Sequence, residues 1–315
     1  MPDVYLVIGG SGLLGRHIAK QLQDRGDNVS VLDIVQRYND IPFYHGDISD
    51  EAAVLSVLKQ CGATCIIHCA SPHAKSAAPE QFWKVNVDGT KALIAASTRL
   101  GINKFVYTSS SGVVFNGSNL ENVNESHPYA WKPLDVYMET KVQAEKIVLA
   151  ANGKDGLYAT YMTGRTNIQI GNNRNLTDWT AVANIADAHV LAADRLSTPI
   201  SPDTPVAGEI FFITNDEPWY FWDFTNGIWS RLDAWFPGKR QKRTVRVIPR
   251  WLGMCLGVIF EFEAWIRGQK PSMTRFTITF SCAARWHNIS KAKKVLGYTP
   301  RVSVEDEMDE LVKVN

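Results

Sequence analysis

Short apolar runs alternate with helical patterns along the first half of the chain. The runs VYLVIGG, NVSVLD, IPFYHGD, TCIIHCA and KFVYTSS predict five strands, at residues 4–10, 28–33, 41–47, 64–70 and 104–110. Helical periodicity predicts helices over 13–25, 51–60, 80–99 and 136–151. Because strands that alternate with helices form a parallel sheet covered on both faces, the pattern predicts a doubly wound α/β fold.

Composition and charge are those of an ordinary globular protein. The chain has 315 residues, of which 45% are hydrophobic and 21% charged, and its net charge is +1. This balance gives no reason to expect a nucleic acid partner. The N-terminus MPDVYLVIGG is typical of a strand rather than of a secretory signal, so we expect a cytoplasmic protein.

The five cysteines, an odd number, are typical of a reducing compartment. Cys61, Cys65 and Cys69 lie evenly spaced from a helix end into a buried strand, without the C-x-x-C spacing of zinc sites. We therefore interpret them as core thiols and expect no metal site.

A glycine-rich turn, GGSGLLG, follows the first predicted strand. Gly9, Gly12 and Gly15 allow a tight turn and a close approach of the backbone to a pyrophosphate, which would rest on the helix that begins at Leu13. Asp33 ends the second strand, where an acid accepts hydrogen bonds from an adenosine ribose and repels a 2′-phosphate. The turn predicts dinucleotide binding, with NAD preferred, while Arg37 keeps NADP as the second choice.

Further candidate residues follow the other strands. Asp47 and Ile48, after the third strand, are placed to flank an adenine. Ala70 and Ser71 lie at the end of the fourth strand, at the edge where open α/β sheets bind ligands. The fifth strand ends in TSSSG, which brings hydroxyl groups to the same edge.

The helix predicted over 136–151 carries Tyr137 and, four residues later, Lys141. Residues four apart share a helix face, so the phenol and the ammonium are neighbours. The simplest interpretation is a surface contact. The alternative is that Lys141 lowers the pKa of Tyr137 for catalysis. Lowering a tyrosine pKa by about three units requires ~4 kcal/mol. An ammonium about 4 Å away contributes on the order of 4 kcal/mol at an effective dielectric constant near 20.

These motifs resemble those of the extended short-chain dehydrogenases/reductases. The resemblance covers nearly the whole chain and is closest to the 3β-hydroxysteroid dehydrogenases and the decarboxylating sterol-4α-carboxylate 3-dehydrogenases. It rests on the glycine turn, VNVDGT at 85–90, FVYTSS at 105–110, Tyr137-x-x-x-Lys141, TGRTNIQIGNNRNLTDW at 163–179, NIADAHVLAA at 184–193 and GEIFFITNDEP at 208–218.

The resemblance implies roles for individual residues. Tyr137 would be the catalytic acid/base, and Lys141 would lower its pKa and hold the nicotinamide ribose. Ser110 would orient the substrate oxygen, in preference to Ser109 and Ser111, while Asn86 would be a structural or relay position. The implied reaction is NAD-dependent oxidation of a ring alcohol, the 3β-hydroxyl of a sterol or triterpenoid-like substrate, with decarboxylation where the neighbouring carbon carries a carboxylate.

The implied architecture is a Rossmann sheet of the extended short-chain dehydrogenase type with a smaller C-terminal substrate-binding region. We expect a NAD-binding domain over 1–162 and a substrate-binding region over 163–315 that interleaves with the sheet and is shortened after residue 160. An apolar small molecule is the expected substrate, and a homodimer is left open.

The second half is rich in aromatic residues, with eight of the ten tryptophans after residue 178 and a dense group, EPWYFW, at 217–222. These aromatics are either core or the lining of an apolar substrate pocket. Two rival functions remain. A nucleotide-sugar epimerase would need basic residues to bind a diphosphate, whereas this half offers aromatics. The second rival function is that of a non-catalytic protein that binds NAD.

Residues 251–266 place apolar side chains on one helical stripe, after a segment, KRQKRTVRVIPR at 239–250, that has six basic residues and no acid. The stretch is too short and too charged to span a bilayer. It predicts either peripheral membrane contact through 239–267, on the cytosolic face of the endoplasmic reticulum, or a solvated loop and an ordinary core helix. The stripe consists of Trp251, Leu252, Met254, Cys255, Val258, Ile259, Phe262, Trp265 and Ile266.

A segment is missing near residue 160. The sixth strand should begin at Leu157, but LYAT passes directly into YMTGRTN, without the turn and helical stretch that similar proteins have there. The loop after this strand lies at the carboxyl edge, over the nicotinamide. We therefore expect the adenosine half of NAD to bind normally and the nicotinamide half to be poorly enclosed, which would leave a weak or altered activity.

The missing segment predicts that NAD binds little more tightly than ADP-ribose, because the nicotinamide half adds few contacts. Turnover should be slow, since a misplacement of 1 Å can cost about 10²-fold in rate. Calorimetric affinities for the two ligands, measured beside turnover, test this expectation. Clearly tighter NAD binding together with vigorous sterol oxidation would contradict it.

Overall fold

The computed structural model describes most of the chain. It covers residues 2–72, 78–151, 169–197, 205–235, 237, 247–269, 271 and 273–313, with the side chains of 311–313 left out. The predicted sixth strand at Leu157, the missing segment and the predicted boundary after residue 162 lie outside these described residues.

Within the described residues, five parallel strands form the central sheet, in the order β3-β2-β1-β4-β5. The chain starts in the middle of this sheet and winds outward in both directions, as the doubly wound prediction requires. Each strand lies within the run that predicted it. The strands are β1 (Val4–Ile8), β2 (Asn28–Asp33), β3 (Phe43–His45), β4 (Cys65–His68) and β5 (Lys104–Tyr107).

Helices cover both faces of this sheet. Successive side chains of a strand point to opposite faces, so Val7 of β1 belongs to one core cluster and Leu6 to the other. A helix from the second half, α6, packs against α1 on the first face, whereas α2 and α4 pack on the second. The helices are α1 (Leu13–Arg25), α2 (Glu51–Cys61), α3 (Pro79–Phe82), α4 (Thr90–Arg99), α5 (Val136–Ala151) and α6 (Val182–Leu196).

The helix predicted over 80–99 consists of three parts. A π-helical turn, Trp83–Gly89, lies between α3 and α4. Periodicity does not reveal this insertion, because a π turn adds a residue without breaking the helix. A Cβ on Gly89 would lie 2.7 Å from the Ile48 side chain, so only glycine fits there.

Outside the central sheet, the described residues form two small sheets and five further helices. One sheet has the order β6-β11-β8-β9, and the other pairs β10 with β7. The strands are β6 (Leu120–Val123), β7 (Gln169–Ile170), β8 (Leu176–Thr177), β9 (Trp219–Tyr220), β10 (Val247–Ile248) and β11 (Arg285–His287). The helices are α7 (Phe221–Trp235), α8 (Arg250–Arg267), α9 (Arg275–Cys282), α10 (Ser290–Leu296) and α11 (Val304–Lys313).

The aromatic group at 217–222 contributes to a third core cluster. Phe221 and Trp222 are buried between α7, α9 and α11, and the indole Nε1 of Trp222 donates to the Ile170 carbonyl at 3.0 Å. Tyr220 is exposed. For Phe221 and Trp222 the structure therefore favours the core interpretation over the pocket lining.

Among the described helices, none is both long and apolar enough to cross a membrane.

Candidate active site

The glycine turn forms a tight cradle at the carboxyl end of β1. Gly9 has φ +79°, and a Cβ there would lie 2.8 Å from the backbone of Ala70. A Cβ on Gly15 would lie 2.3 Å from the Gly9 carbonyl oxygen. No side chain caps α1, whose first residue, Leu13, is exposed. The cradle and the uncapped helix N-terminus fit the diphosphate of a dinucleotide.

Asp33 lies directly against this cradle. Its Oδ2 accepts the Ser11 amide at 3.0 Å, and its Oδ1 accepts the Ile34 amide at 2.7 Å. These bonds fix the carboxylate beside the glycine turn. The position fits the prediction that this acid meets an adenosine ribose.

Asp47 and Ile48, which follow β3, are held by contacts with neighbouring side chains. Lys84 and Ser49 donate to the carboxylate of Asp47, the first at 2.8 Å, and against the opposing effect of burial they lower the pKa of Asp47 to about 2. The Ile48 side chain is buried in the core. A contact of Asp47 and Ile48 with an adenine would therefore use mainly their backbone.

Ala70 and Ser71 follow β4, the strand next to β1. Ala70 contacts Gly9 closely, and Ser71 is half-buried. The residues directly after them, 73–77, lie outside the described part of the chain. Ala70 and the glycine turn thus meet at one sheet edge, as predicted.

Tyr137 and Lys141 are both buried, with 5% and 2% of their surfaces exposed. The Asp135 carboxylate accepts the Met138 amide at 2.7 Å and so caps the first turn of α5, which carries Tyr137. The tyrosine ring packs edge-on against Phe82. The interpretation of the pair as a surface contact is wrong.

Lys141 reaches from α5 to the carboxyl end of β5. Its Nζ donates to the Thr108 carbonyl at 2.9 Å and lies 3.4 Å from the Tyr107 hydroxyl. Burial lowers the pKa of Lys141 to about 8, although the nearby groups of Cys69 and Glu145 oppose this shift. The ammonium therefore remains protonated at neutral pH.

Ser109 and Ser110 directly follow Thr108, whose carbonyl binds Lys141. Ser110 begins a 3₁₀ turn, Ser111–Val114, and its Oγ accepts the Gly112 amide at 3.1 Å. The hydroxyl of Ser109 is buried near Glu145. The role of Ser110 in orienting the substrate oxygen stays a prediction.

Asn86 links the π-helical turn to the first turns of α5. Its Nδ2 donates to the Thr140 hydroxyl at 3.0 Å, and that hydroxyl donates to the Tyr137 carbonyl at 2.9 Å. The buried Oδ1 of Asn86 has no partner among the described residues. Asn86 therefore has the predicted structural role, and its role as a relay stays a prediction.

Glu145 is an acidic residue near the site that was not predicted from the sequence. It is 4% exposed and lies one turn beyond Lys141, and its Oε1 accepts the Tyr129 hydroxyl at 3.0 Å. Burial raises the pKa of Glu145, against the opposing effects of Ser109, Tyr129 and Lys141. The spacing 137, 141 and 145 follows one helix face and could have indicated this residue.

Two buried histidines also escaped prediction. His189 of α6 bonds the Thr108 hydroxyl through Nε2 at 3.0 Å and the Ile185 carbonyl through Nδ1 at 2.8 Å. His68 lies 3.2 Å from the Thr90 hydroxyl. Burial lowers the pKa of His189 to about 4 and that of His68 to about 3, so both rings are neutral. They position the strand ends and carry no charge.

A sequence profile of the 3-beta hydroxysteroid dehydrogenase/isomerase family matches residues 6–163 and 156–241. The two matched stretches overlap at residues 156–163, where the sequence lacks the segment expected after the sixth strand.

Named relatives are similar over nearly the whole chain. The decarboxylating sterol-4-alpha-carboxylate 3-dehydrogenase of Saccharomyces cerevisiae is 37% identical, over 96% of this chain and 95% of the yeast protein. The corresponding human protein is 33% identical, over 98% of this chain and 87% of its own length. The yeast alignment runs over 341 positions whereas this chain has 315 residues, so at least 26 aligned positions have no residue here.

Solved structures confirm the fold. The protein gox2253 has a TM-score of 0.74 at 22% identity, over 98% of this chain and 97% of its own. A UDP-glucose 4-epimerase has a TM-score of 0.73 at 17% identity, over 99% of both chains. At such identities the likeness to an epimerase concerns the fold alone. The family profile and the relatives together show that the chain belongs to the 3-beta hydroxysteroid dehydrogenase/isomerase family.

Proposed function

We propose that the protein oxidises the 3β-hydroxyl of a sterol that carries a 4α-carboxylate, with NAD as the oxidant, and that the product then loses carbon dioxide. The observation that carries the proposal is the buried Tyr137–Lys141 pair on α5, whose lysine binds the Thr108 carbonyl after β5, at the sheet edge that holds the glycine cradle. The substrate class is supported by the similarity to decarboxylating sterol-4-alpha-carboxylate 3-dehydrogenases.

The residues of the chain account for the proton transfer. The Tyr137 phenolate would accept the proton of the C3 hydroxyl, and Ser110 would hold the same oxygen by a hydrogen bond. Lys141 would favour the phenolate, because a nearby cation lowers the pKa of an acid. A bound dinucleotide supplies the acceptor for the hydride that leaves C3.

Decarboxylation follows from the product and requires no residue to break the bond. Oxidation at C3 leaves a ketone beside the carbon that carries the carboxylate. The electron pair of the bond to the carboxylate moves onto the ketone oxygen to give an enolate, and a proton taken up from water at C4 restores the ketone. Carbon dioxide is the leaving group.

The cofactor is proposed to be NAD rather than NADP. The Asp33 carboxylate at the end of β2 would accept hydrogen bonds from the ribose and repel a 2′-phosphate. Arg37 is exposed four residues later and would be the cation available to a phosphate.

The substrate class also supports a location. Sterols reside in membranes, so we propose that the protein works at the cytosolic face of the endoplasmic reticulum. Fluorescence imaging of the tagged protein beside a marker of that membrane checks this location, and a diffuse signal would contradict it.

Tyr137→Phe should abolish turnover of a sterol 4α-carboxylate and leave NAD affinity nearly unchanged, because the phenol moves the proton but contributes little to cofactor binding. Lys141→Ala should damage both, since it removes a charge and a ribose contact. Reduced-cofactor absorbance and calorimetric NAD binding provide the measurements. Near-normal kcat in Tyr137→Phe would rule out this site, and turnover of UDP-glucose in place of the sterol acid would favour the epimerase.

Asp33→Ala should raise the use of NADP relative to NAD, because the variant no longer repels the 2′-phosphate. The ratio of kcat/KM for the two cofactors measures this preference. Asp40→Ala serves as a control, because Asp40 binds Arg16 on the surface. A wild-type enzyme that already prefers NADP would contradict the proposal that Asp33 selects NAD.

Glu145→Gln should move the alkaline limb of the kcat profile to lower pH by about one unit, the scale of a charge one helical turn away in a protein interior. The negative charge of Glu145 opposes the lowering of the Lys141 pKa, so its removal lets the ammonium lose its proton earlier. Glu139→Gln, an exposed residue on the same helix, is the matched control. Identical pH profiles for wild type and Glu145→Gln would contradict this positioning role.

A further inference from the structure

Arg285 of β11 has a guanidinium that forms no ion pair with any of the described residues. The side chain is half-buried, and its Nε and Nη2 atoms are shielded from solvent without a hydrogen-bond partner in the described part of the chain. Burial lowers the pKa of Arg285 to about 9, although the Asp178 carboxylate opposes this shift, so the group is charged at neutral pH. Unpaired buried donors are costly and rare in native structures, which points to a partner that arrives from outside.

The neighbours of Arg285 fix its position and leave its donors unpaired. The guanidinium carbon lies 3.6 Å from the ring centroid of Phe280 and 5.7 Å from that of Phe115. These cation–π contacts offset part of the cost of burial, but they supply no oxygen for the N–H groups. The Asp178 carboxylate is bound instead by the amide and the ring Nδ1 of His287, at 2.7 and 2.8 Å.

The two unpaired nitrogens of Arg285 are the pair that suits a carboxylate. The N–H groups of Nε and Nη2 lie along one edge of the planar guanidinium and point in the same direction. Two carboxylate oxygens fit this edge in a bidentate pair, which a lysine ammonium cannot form. Thr177 pairs with Arg285 across β8 and β11, and its buried hydroxyl also lacks a partner among the described residues. These donors together favour an anion with at least two oxygens.

The ring of Phe115 connects this guanidinium to the segment after β5. Phe115 follows the 3₁₀ turn that Ser110 begins, and its amide donates to the Gly112 carbonyl at 3.1 Å. The Gly112 amide donates in turn to the Ser110 hydroxyl at 3.1 Å. A Cβ on Gly112 would lie 3.1 Å from Met138, which is the neighbour of Tyr137 on α5. The guanidinium therefore packs on the same turn that carries Ser110 and contacts the helix of Tyr137.

We propose that Arg285 binds the 4α-carboxylate of the substrate and makes the enzyme selective for sterols that carry this acid. This inference rests on the proposed function, which supplies a carboxylate on the carbon next to C3. Tyr137 and Ser110 would hold the C3 oxygen while Arg285 holds the carboxylate, and two such contacts orient the ring for hydride transfer. Because a cation stabilises a carboxylate more than neutral carbon dioxide, Arg285 acts in recognition and does not assist the loss of carbon dioxide.

The substrate preference of the wild type is the first test and requires no variant. The two substrates are a sterol 4α-carboxylate and the same sterol with a neutral 4α-hydroxymethyl group, each followed with NAD by reduced-cofactor absorbance. A site built to bind a polar group rejects an analogue that lacks it, so kcat/KM should be at least about 100-fold higher for the acid. Equal values for the two sterols would overturn the proposal.

Arg285→Met removes the donors and keeps an apolar side chain beside the two rings. We expect kcat/KM for the acid to fall about 100-fold, mainly through KM, while the value for the hydroxymethyl sterol stays within about twofold. Arg285→Lys keeps the charge without the paired donors and should lose only about tenfold. Arg275→Met removes an exposed arginine that binds Glu261 and should behave like wild type. Equal losses on both sterols would mean a purely structural role for Arg285 and would contradict the proposal.

Binding to a protein that cannot turn over separates this inference from the proposed function. Calorimetry on the Tyr137→Phe variant with NAD gives the Kd of the acid, which added Arg285→Met should raise about 100-fold. Circular dichroism and NAD affinity establish that each variant is folded. If the acid binds in this way but the wild type oxidises neither sterol, the proposed function fails and the carboxylate site stands. If wild type and Arg285→Met oxidise the acid equally well, the site fails and the proposed function stands. Arg285-dependent binding of UDP-glucose in place of the acid would assign the guanidinium to a diphosphate and overturn the proposal.

Discussion

The site depends on keeping one lysine charged inside the protein. Burying an ammonium is costly unless polar groups replace its water, and Lys141 has the Thr108 carbonyl, the Tyr107 hydroxyl and the nearby Glu145 carboxylate. Each of these comes from the end of β5 or from α5 itself. The fold therefore has to fix the distance between that strand and that helix before the site can exist.

Several elements help to fix the distance between β5 and α5. His189 of α6 holds the Thr108 hydroxyl, and Asn86 of the π-helical turn binds Thr140 of α5. A helix from the second half thus supports Thr108, the residue whose carbonyl binds Lys141. Helix α6 and the parallel sheet consequently form the site together, with the glycine cradle and Asp33 at the neighbouring strand ends.

Much of this arrangement follows from the sequence. Apolar runs bounded by turn residues predicted the five strands, and the glycine turn with Asp33 predicted the cradle. Periodicity could not predict that the apolar stripe of α8, with Trp251 and Trp265, is exposed, because such a stripe has the same spacing whether it faces a core or solvent. The side of α8 that faces the core is the one with Gly253 and Gly257, because these small residues pack closely against Ile170 and Ile278. This packing becomes visible only in the folded structure. The sequence did not predict that Glu145 is part of the site, because the burial of a carboxylate depends on tertiary neighbours such as Tyr129.

The most direct test of the account uses a sterol 4α-carboxylate that carries deuterium in place of the hydrogen on C3. Mass spectrometry of the cofactor and collection of carbon dioxide follow the two products with NAD present. The account predicts one deuterium in the reduced cofactor for each carbon dioxide released, and neither product from the Tyr137→Phe variant. Carbon dioxide without labelled cofactor, or no labelled cofactor from a correctly folded enzyme, would contradict it.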